Sequence, residues 1–561
     1  MPIHRFRCVA FLLLQLTAVS ATSPRPNIVF ILADDLGWND VGFHGSEQVL
    51  TPNLDALAYD GVILENYYVQ PICTPSRAAL MTGRHPIHTG MQQNVIYSAE
   101  PYGLGLNEII FPQYLKQIGY KTHIVGKWHL GFFAEQYTPI ERGFDSHYGY
   151  YMGAEDYWVH IAGNAHEVSF NASWGLDFRR NGEVVKTAFG QYSTELFTTE
   201  AENIIASHNQ SEPLFMYVAQ QAVHSANPYT GDAELEAPFK YYEKFPHIKN
   251  EKRRKFAAMV SALDDSVGNI TKALHAKGIL ENTIICFSTD NGGPASGFDF
   301  NDASNWPLRG VKESLWEGGV RGTGFVWSPL MKTSGYTSPA MMQIFDFLPT
   351  LLKAAGYDMS KLSPDLDGID QWEIISERKD AVRTEMLHNI DNTEGTRALR
   401  INEMKVVVSQ GGSTRSWPLW YSTDQFYGGY NHTDHSVSAD LSAKWDIDSE
   451  VAPRVNSDLT SVLRNLGRPL RSGTPLKIHC GPVPPSARGS CDVGKKPCLF
   501  NITADPCEFH NLADERPDML STMLDRLDQY QSTAVAPRNK PVDPNGLPSK
   551  HGGIWEPWIK L

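Results

Sequence analysis

Cysteine is scarce in this chain, seven in 561 residues, and no two of them form a Cys-x-x-Cys pair, which argues against a zinc site. Positive charge is in deficit. Lys and Arg number 49 against 63 Asp and Glu, a formal net charge of −14. That balance excludes a nucleic-acid surface, and it requires any anionic substrate to be met by cations clustered locally. After the N-terminal segment no stretch approaches the roughly 18 apolar residues of a bilayer-crossing helix, so no transmembrane segment is expected. Internal repeats and strongly biased tracts are also missing. The length exceeds what one simple core supports, so one large and one smaller domain are expected.

The N-terminus has the pattern of an export signal over residues 1–21. His4, Arg5 and Arg7 precede the apolar run Cys8 to Leu16, and Ala18, Ser20 and Ala21 offer a cleavage site. The mature chain is therefore expected in the secretory pathway. Five Asn-x-Ser/Thr sequons, at Asn171, Asn209, Asn269, Asn431 and Asn501, agree with that route as possible N-glycosylation sites. Cys8 leaves with the signal, and Cys286, inside the apolar run Thr283-Ile-Ile-Cys-Phe-Ser, reads as a buried free thiol. Cys480, Cys491, Cys498 and Cys507 crowd together and read as two disulfides in an oxidising compartment. Of three connectivities, Cys480–Cys491 with Cys498–Cys507 is the expectation.

Strand-length apolar runs alternate with helical segments. Asn27 to Ala33, Thr122 to Gly126, Pro213 to Ala219 and Thr283 to Ser288 read as strands. Thr51-Pro52 opens a helix ending near Gly61, and Phe111 to Ile118, about 193–207, about 254–277 and Met341 to Ala355 read as further helices. Repeated β-α units imply a largely parallel sheet, hence an α/β fold. From about residue 380 the character changes: Arg397 to Val408 and Leu499 to Ile502 suggest strands, and Arg516 to Tyr530 an amphipathic helix. The expected organisation is a large catalytic domain over 22–380 and a smaller antiparallel-sheet subdomain with one helix over 381–561.

Candidate functional residues sit just past those strands, where open α/β sheets place their ligand crevice. The first strand ends in Asp34-Asp35, and the strand near 284–289 ends in Asp290-Asn291, oxygen donors suited to a hard divalent cation. Either pair alone reads as a turn or a helix cap; two pairs at equivalent strand ends read as a site. Lys127 and His129 alternate around Trp128 after another strand, so an extended segment turns both to one side. His224 follows the strand at 213–219, and Lys312 lies in the Gly-rich stretch Asn305-Trp-Pro-Leu-Arg-Gly-Val-Lys. A lone histidine is most often structural, but here each basic residue lies just past a strand or in a Gly-rich loop, where catalytic groups gather. The run Cys73-Thr-Pro-Ser-Arg-Ala-Ala-Leu-Met-Thr-Gly-Arg places a cysteine where a helix begins, with Arg77 one turn on, in a setting that favours anions.

That run resembles the signature of the sulfatase family, Cys-x-Pro-Ser-Arg followed by Thr-Gly-Arg. Similar stretches extend over nearly the whole mature chain: Pro26 to Trp38, Val125 to Gly131, Ser288 to Gly293, Asn305 to Gly310, Ser314 to Gly322, Leu387 to Asp391 and Gly553 to Trp558. The group most resembled is arylsulfatase B with arylsulfatases I and J. The resemblance implies an alkaline-phosphatase-like, mostly parallel sheet sandwiched by helices. It implies conversion of Cys73 to formylglycine by the formylglycine-generating enzyme, and calcium held by Asp34, Asp35, Asp290, Asn291 and residue 73. Arg77 and His129 would hold and activate that residue, while Lys127, His224 and Lys312 would bind the sulfate. His388 would line the sugar side of the pocket.

The implied reaction is hydrolysis of a sulfate ester. A hydrated formylglycine offers one hydroxyl as nucleophile and a second from which sulfate is expelled by elimination, which a plain thiol cannot do. The implied substrate is N-acetylgalactosamine 4-sulfate in glycosaminoglycans, and the implied destination is lysosomal or secreted. Cysteines that arylsulfatase B carries in the region matching 92–112 are missing here, so aryl sulfates and sulfated plant metabolites stand as alternative small-ester substrates. An inactive sulfated-glycan-binding protein would have lost Cys73 or a carboxylate. A two-metal phosphatase would need additional His and Asp ligands.

Overall fold

The computed structural model describes residues 25–163, 173–226, 235–409, 418–421, 457, 459–468 and 473–561. The export signal, Asn171 and Asn431 lie outside the described residues. Asn209 is exposed in a turn, Asn269 is half-buried midway along a long helix, and Asn501 closes an edge strand. Among the described residues no helix is long and apolar enough to cross a membrane.

The centre of the fold is the strand Asn27–Ala33, buried at every residue. It pairs in parallel with Thr283–Thr289 on one side and Leu214–Ala219 on the other. The sheet has ten strands, in the order Tyr336–Gln343, Val62–Tyr68, Gly324–Trp327, Thr283–Thr289, Asn27–Ala33, Leu214–Ala219, Lys121–Lys127, Ser146–Tyr150, Arg179–Arg180 and Glu183–Val184. Gly324–Trp327 runs antiparallel to both its neighbours, and the two short strands beyond Ser146–Tyr150 pair antiparallel. Alternate side chains of the central strand feed two cores. Val29, Ile31 and Ala33 face the helices Pro52–Asp60, Ser193–Ser207 and Glu251–Lys277; Ile28, Phe30 and Leu32 face Cys73–Thr82, Phe111–Lys116 and Phe347–Ala354. Burying each large apolar side chain contributes roughly 1.5–3 kcal/mol, so a strand covered on both faces adds to two cores at once. The sandwich of helix, mostly parallel sheet and helix is as expected.

The helices stop where the sequence provides for it. Gly278 takes a left-handed φ of 76° at the end of Glu251–Lys277, and Gly83 does the same at 66° after Cys73–Thr82, donating its N–H to Ala79 O at 2.9 Å. At the other end of the long helix the Asn250 side chain accepts the Arg253 N–H.

The second sheet is antiparallel, with four strands in the order Glu385–Asp391, Thr396–Ile401, Met404–Ser409 and Cys498–Asn501. The helix Pro517–Thr533 covers one face through Met523 and Leu527, while Met386, Ala398, Val407 and Phe500 meet Tyr68, Trp316 and Met341 on the other. Later segments also reach the large sheet's cores: Leu459, Val462 and Leu463 join one, and Trp555 joins the other.

Two expectations are corrected. Met341 to Gln343 are not helical: they end the strand Tyr336–Gln343, and the helix begins only at Phe347. Parallel pairing of Met341, Met342 and Gln343 with Asn66, Tyr67 and Tyr68 overrides the local helical pattern. The disulfides are Cys480–Cys507 and Cys491–Cys498, not Cys480–Cys491 with Cys498–Cys507. A turn in which Lys495 and Lys496 donate to Asp492 O folds residue 491 back onto 498. Cys507 meanwhile returns to a small core with Trp420, Ala487 and Phe509, against which Cys480 packs. Cys286 is a buried free thiol, as expected.

Burial sets a pH dependence. Asp177, Glu236 and Glu508 are each pushed up to about 7 by burial, with Asp156 adding to it at Glu236 and Glu317 at Glu508. A carboxyl raised on folding gives stability that is complete below its unfolded value of about 4 and lost as pH rises through its folded value. Glu317 is lowered to about 2: burial would raise it, but Lys405, Arg321 and Arg400 outweigh that. Its contribution therefore disappears only below about pH 4.3, outside the window. These three carboxyls therefore lose their contribution between about pH 5 and pH 8, while the buried histidines His44, His85 and His147, held by burial down to about 3, about 4 and about 3, add stability as pH rises toward about 6.5 and oppose that trend. Calorimetric melts of Glu236→Gln beside the parent check the carboxyl contribution: from pH 5 to pH 8 the melting temperature of the parent is expected to drop relative to that of the variant, and an equal change in both would contradict it.

Candidate active site

Parallel register brings distant sequence pairs to one level. Asn27↔Thr283 through Ala33↔Thr289 pair without a shift, so Asp34-Asp35 and Asp290-Asn291 emerge side by side. The Asp35 N–H donates to Asp290 Oδ1 at 3.2 Å, and Asn291 Nδ2 donates to Asp35 Oδ1 at 2.6 Å. On the other side Leu32 pairs with Ala219 and Ala219 with Gly126, which places His224 and Lys127 just beyond the same edge. Gly126 is required there: its φ is 101°, and a Cβ would lie 1.9 Å from Ala219 O.

Three carboxylates and three cations share this buried space. Lys127 Nζ is 2.7 Å from Asp34 Oδ2, Arg77 is 2.7 Å from Asp290 Oδ2 and 3.4 Å from Asp34 Oδ2, and Lys312 Nζ is 2.8 Å from Asp35 Oδ2. All six side chains are no more than 1% exposed. Burial would raise the Asp34 carboxyl, but Lys127 and Arg77 hold it below the ordinary value; Asp290 is pushed up by burial and by the Asp34 charge. A further divalent cation would favour the ionised form of every carboxylate in the group.

The helix Cys73–Thr82 brings its first residue into this cluster, with Cys73 Sγ 3.6 Å from Asp34 Oδ1. Ser76 fixes the approach by accepting the Gln70 N–H at 2.8 Å, and Thr74 links the helix start to Ile96 N and His129 O. Burial pushes the Cys73 thiol well above its ordinary value, so as a plain thiol it is a poor nucleophile.

The two histidines present different nitrogens. His129 donates Nε2–H to Ile96 O at 3.0 Å, which leaves Nδ1 as a lone pair, buried and with no hydrogen-bond partner among the described residues. Burial, then Lys127 and Arg77, hold that ring well below the ordinary histidine value, so it is neutral. His224 donates Nδ1–H to Ser225 O at 2.8 Å and turns Nε2 toward Lys312 at 3.3 Å and Asp35 at 3.4 Å.

His388 is not brought to this cluster. It sits at the irregularity between Leu387 and Asn389, fully buried, with its ring 4.9 Å from that of Tyr68. The charged groups facing it are Lys405, Glu317 and Arg400, which together with Glu508 form a separate network between the two sheets. At this bulge the ring packs on Tyr68 of the large sheet.

Two residues of the site were not singled out from the sequence. Asn301 Nδ2 bonds the carbonyls of Asp35 and Val223, and Asp299 contacts both Lys312 and His224. Their only sequence signal is an acid and an amide in a Gly- and Phe-rich loop shortly after Asp290-Asn291.

A family model described as Sulfatase matches residues 26–357, the segment that supplies every member of this cluster. The chain belongs to the sulfatase family. As a sulfatase it is a sulfuric ester hydrolase. It is 39% identical to Arylsulfatase J of Mus musculus over 551 residues, 97% of this chain and 82% of that protein. N-acetylgalactosamine-6-sulfatase of Mus musculus is 32% identical over 364 residues, 61% of this chain and 65% of that one. Among solved structures, Ps i-CgsB in complex with k-i-k-neocarrahexaose superposes with a TM-score of 0.67 and 26% identity, over 92% of this chain and 94% of that one.

The sulfatase's cluster fits a metal ion. Asp34, Asp35, Cys73 and His224 hold ligand-type atoms within 4.8 Å of one another. Asn291 Oδ1, buried beside them, has no hydrogen-bond partner among the described residues, as an oxygen kept for a cation would.

Proposed function

We propose that this sulfatase removes sulfate from sulfated carbohydrates, N-acetylgalactosamine 4-sulfate first among them. It does so with a formylglycine made from Cys73 by the formylglycine-generating enzyme and a bound calcium ion. The observation that carries the reading is the convergence of Asp34, Asp35, Asp290 and Asn291 with residue 73, two lysines and two histidines at one sheet edge. The names of two relatives, an N-acetylgalactosamine-6-sulfatase and a protein bound to a carrageenan-type hexaose, support a sulfated sugar over a small ester. The chain is proposed to work in the lysosome or outside the cell, and the division at about residue 380 is proposed to separate catalytic from supporting parts.

Asp34, Asp35, Asp290 and Asn291, with residue 73, would hold the calcium, whose contribution is to offset negative charge on the sulfate oxygens. Formylglycine, once hydrated, supplies an oxygen nucleophile and a second hydroxyl for release. The remaining work belongs to this chain's side chains. Lys127 and Lys312 meet the sulfate's delocalised charge in a buried site where such contacts are strong. Arg77 keeps residue 73 and the carboxylates in place. Burial and Lys312 would lower the His224 pKa, but Asp35 and Asp299 beside Nε2 hold it above the ordinary value, so Nε2 carries a proton that it gives to the departing sugar oxygen. His129, neutral and with Nδ1 open, takes the proton when sulfate leaves.

Four substrates test the reading on protein made with the converting enzyme: a 4-sulfated N-acetylgalactosamine-ended oligosaccharide, its 6-sulfated counterpart, 4-nitrophenyl sulfate and 4-nitrophenyl phosphate. The 4-sulfated sugar is expected to exceed the aryl sulfate in kcat/KM by about 100-fold, since a hydrogen-bonding pocket penalises a substrate that leaves its polar groups unpaired. Equal efficiency would favour a small-ester sulfatase, and binding of the oligosaccharide without turnover of any ester would favour a glycan-binding role.

A further inference from the structure

Asp299 enters the scheme above only through the His224 charge, yet its carboxylate stands in the middle of the site. One oxygen, Oδ2, lies 2.8 Å from Lys312 Nζ and 3.1 Å from His224 Nε2. Its backbone is left-handed, φ 54°, which projects the side chain from the loop between Asn291 and Asn305. The neighbouring Phe298 ring lies 5.4 Å from Lys312 Nζ and packs against Ile72, Cys73 and Val95. Asn301 ties the other end of the loop to the Asp35 and Val223 carbonyls.

Exposure separates this carboxylate from the others. The Asp299 side chain is 25% exposed, against 0% for Asp35 and 1% for Lys312, so it reaches the cations from the solvent side. A lysine ammonium has three N–H donors. Those of Lys312 include one directed at Asp35 and one at Asp299, each at 2.8 Å, with His224 Nε2 3.3 Å away. A sulfate group entering from solvent toward Lys312 and His224 meets the Asp299 carboxylate in that place, and two like charges cannot share it. Asp35 is locked by Asn291, and His224 by its bond to Ser225. Asp299 alone has solvent to move into.

We propose that Asp299 is an internal stand-in for the substrate's sulfate: it occupies Lys312 and His224 in the empty enzyme and swings out when a sulfate ester enters. The inference rests on the reading of Lys312 and His224 as sulfate-binding groups. It makes Asp299 a determinant of anion affinity. The carboxylate competes with every incoming sulfate, and after displacement it remains a like charge at the mouth.

The test uses Asp299→Asn, which keeps shape and loses charge, and Asp299→Ser, which loses both. Inorganic sulfate binding is measured by calorimetry and KM with 4-nitrophenyl sulfate, each variant being checked for folding by its melt. The sulfate Kd and KM are expected to fall by about five- to tenfold in both variants, the latter equal to about 1.4 kcal/mol. An unchanged or weaker sulfate affinity in both overturns the stand-in. A loss confined to kcat with sulfate Kd unaltered also overturns it, and would mark Asp299 as a residue that orients His224. Lys312→Ala separates the two readings. Sulfate binding lost there but unchanged in Asp299→Asn rejects the stand-in alone; binding unchanged in Lys312→Ala rejects the sulfate-site reading itself.

Discussion

Cys73→Ser is expected to lower sulfate ester turnover by about 10³-fold or more while still taking up one sulfate per chain, since a covalent site that cannot discharge its group stalls after the first cycle. A serine oxygen at the start of the helix Cys73–Thr82 would sit where Sγ does, 3.6 Å from Asp34 Oδ1 and among the same cations. It can attack, but it lacks the second hydroxyl from which His129 would drive release. The fold should be indifferent, because Ser76, Thr74 and the Gly83 cap hold the helix without residue 73. Intact-protein mass spectrometry after incubation with an aryl sulfate reads the outcome. Full turnover by Cys73→Ser, or no sulfate retained by it, would contradict the assignment.

Asp290→Asn should also be severe, for reasons of charge. Asp290 accepts the Asp35 N–H with one oxygen and the Arg77 guanidinium with the other. An amide keeps one acceptor and turns its NH2 toward another donor, leaving Arg77 with only Asp34 at 3.4 Å. Truncating one partner of a fully buried ion pair costs about 3–5 kcal/mol, and Asp34 shares the Arg77 charge, so about 2–4 kcal/mol of stability is expected to be lost. Hydrolysis should fall by about 10³-fold, the scale seen when one preorganised electrostatic group is removed from such a site. Metal content measured by atomic emission should fall in parallel. A variant that binds metal and turns over normally would remove Asp290 from the proposed ligand set.

The strands that build the site were legible because both of their faces are covered. Asn27–Ala33, Leu214–Ala219 and Thr283–Thr289 are continuous apolar runs, and polar residues just past such runs could only lie at a sheet edge. What brings Asp34-Asp35 beside Asp290-Asn291 is parallel register, a property of pairing rather than of either segment. Residues placed by tertiary pairing were read less well. Met341 to Gln343 look helical alone and are held extended by Val62–Tyr68. The bulge at His388 breaks the two-residue alternation that would have told which way its ring faces. Asp299 sits in an irregular loop, where no periodicity marks an acid that reaches a lysine thirteen positions on. The disulfide pairing depends on a turn at Asp492 and on where Trp420 packs, neither visible in cysteine spacing.

The most direct test of the account is the mass of the peptide spanning residue 73, taken from preparations with different specific activities. Co-expression with the formylglycine-generating enzyme would set the degree of conversion. The account predicts an aldehyde at position 73 in the active preparations and a specific activity that rises in proportion to its fraction, reaching zero where the thiol is intact. Fully active protein carrying an unmodified Cys73 thiol would contradict it.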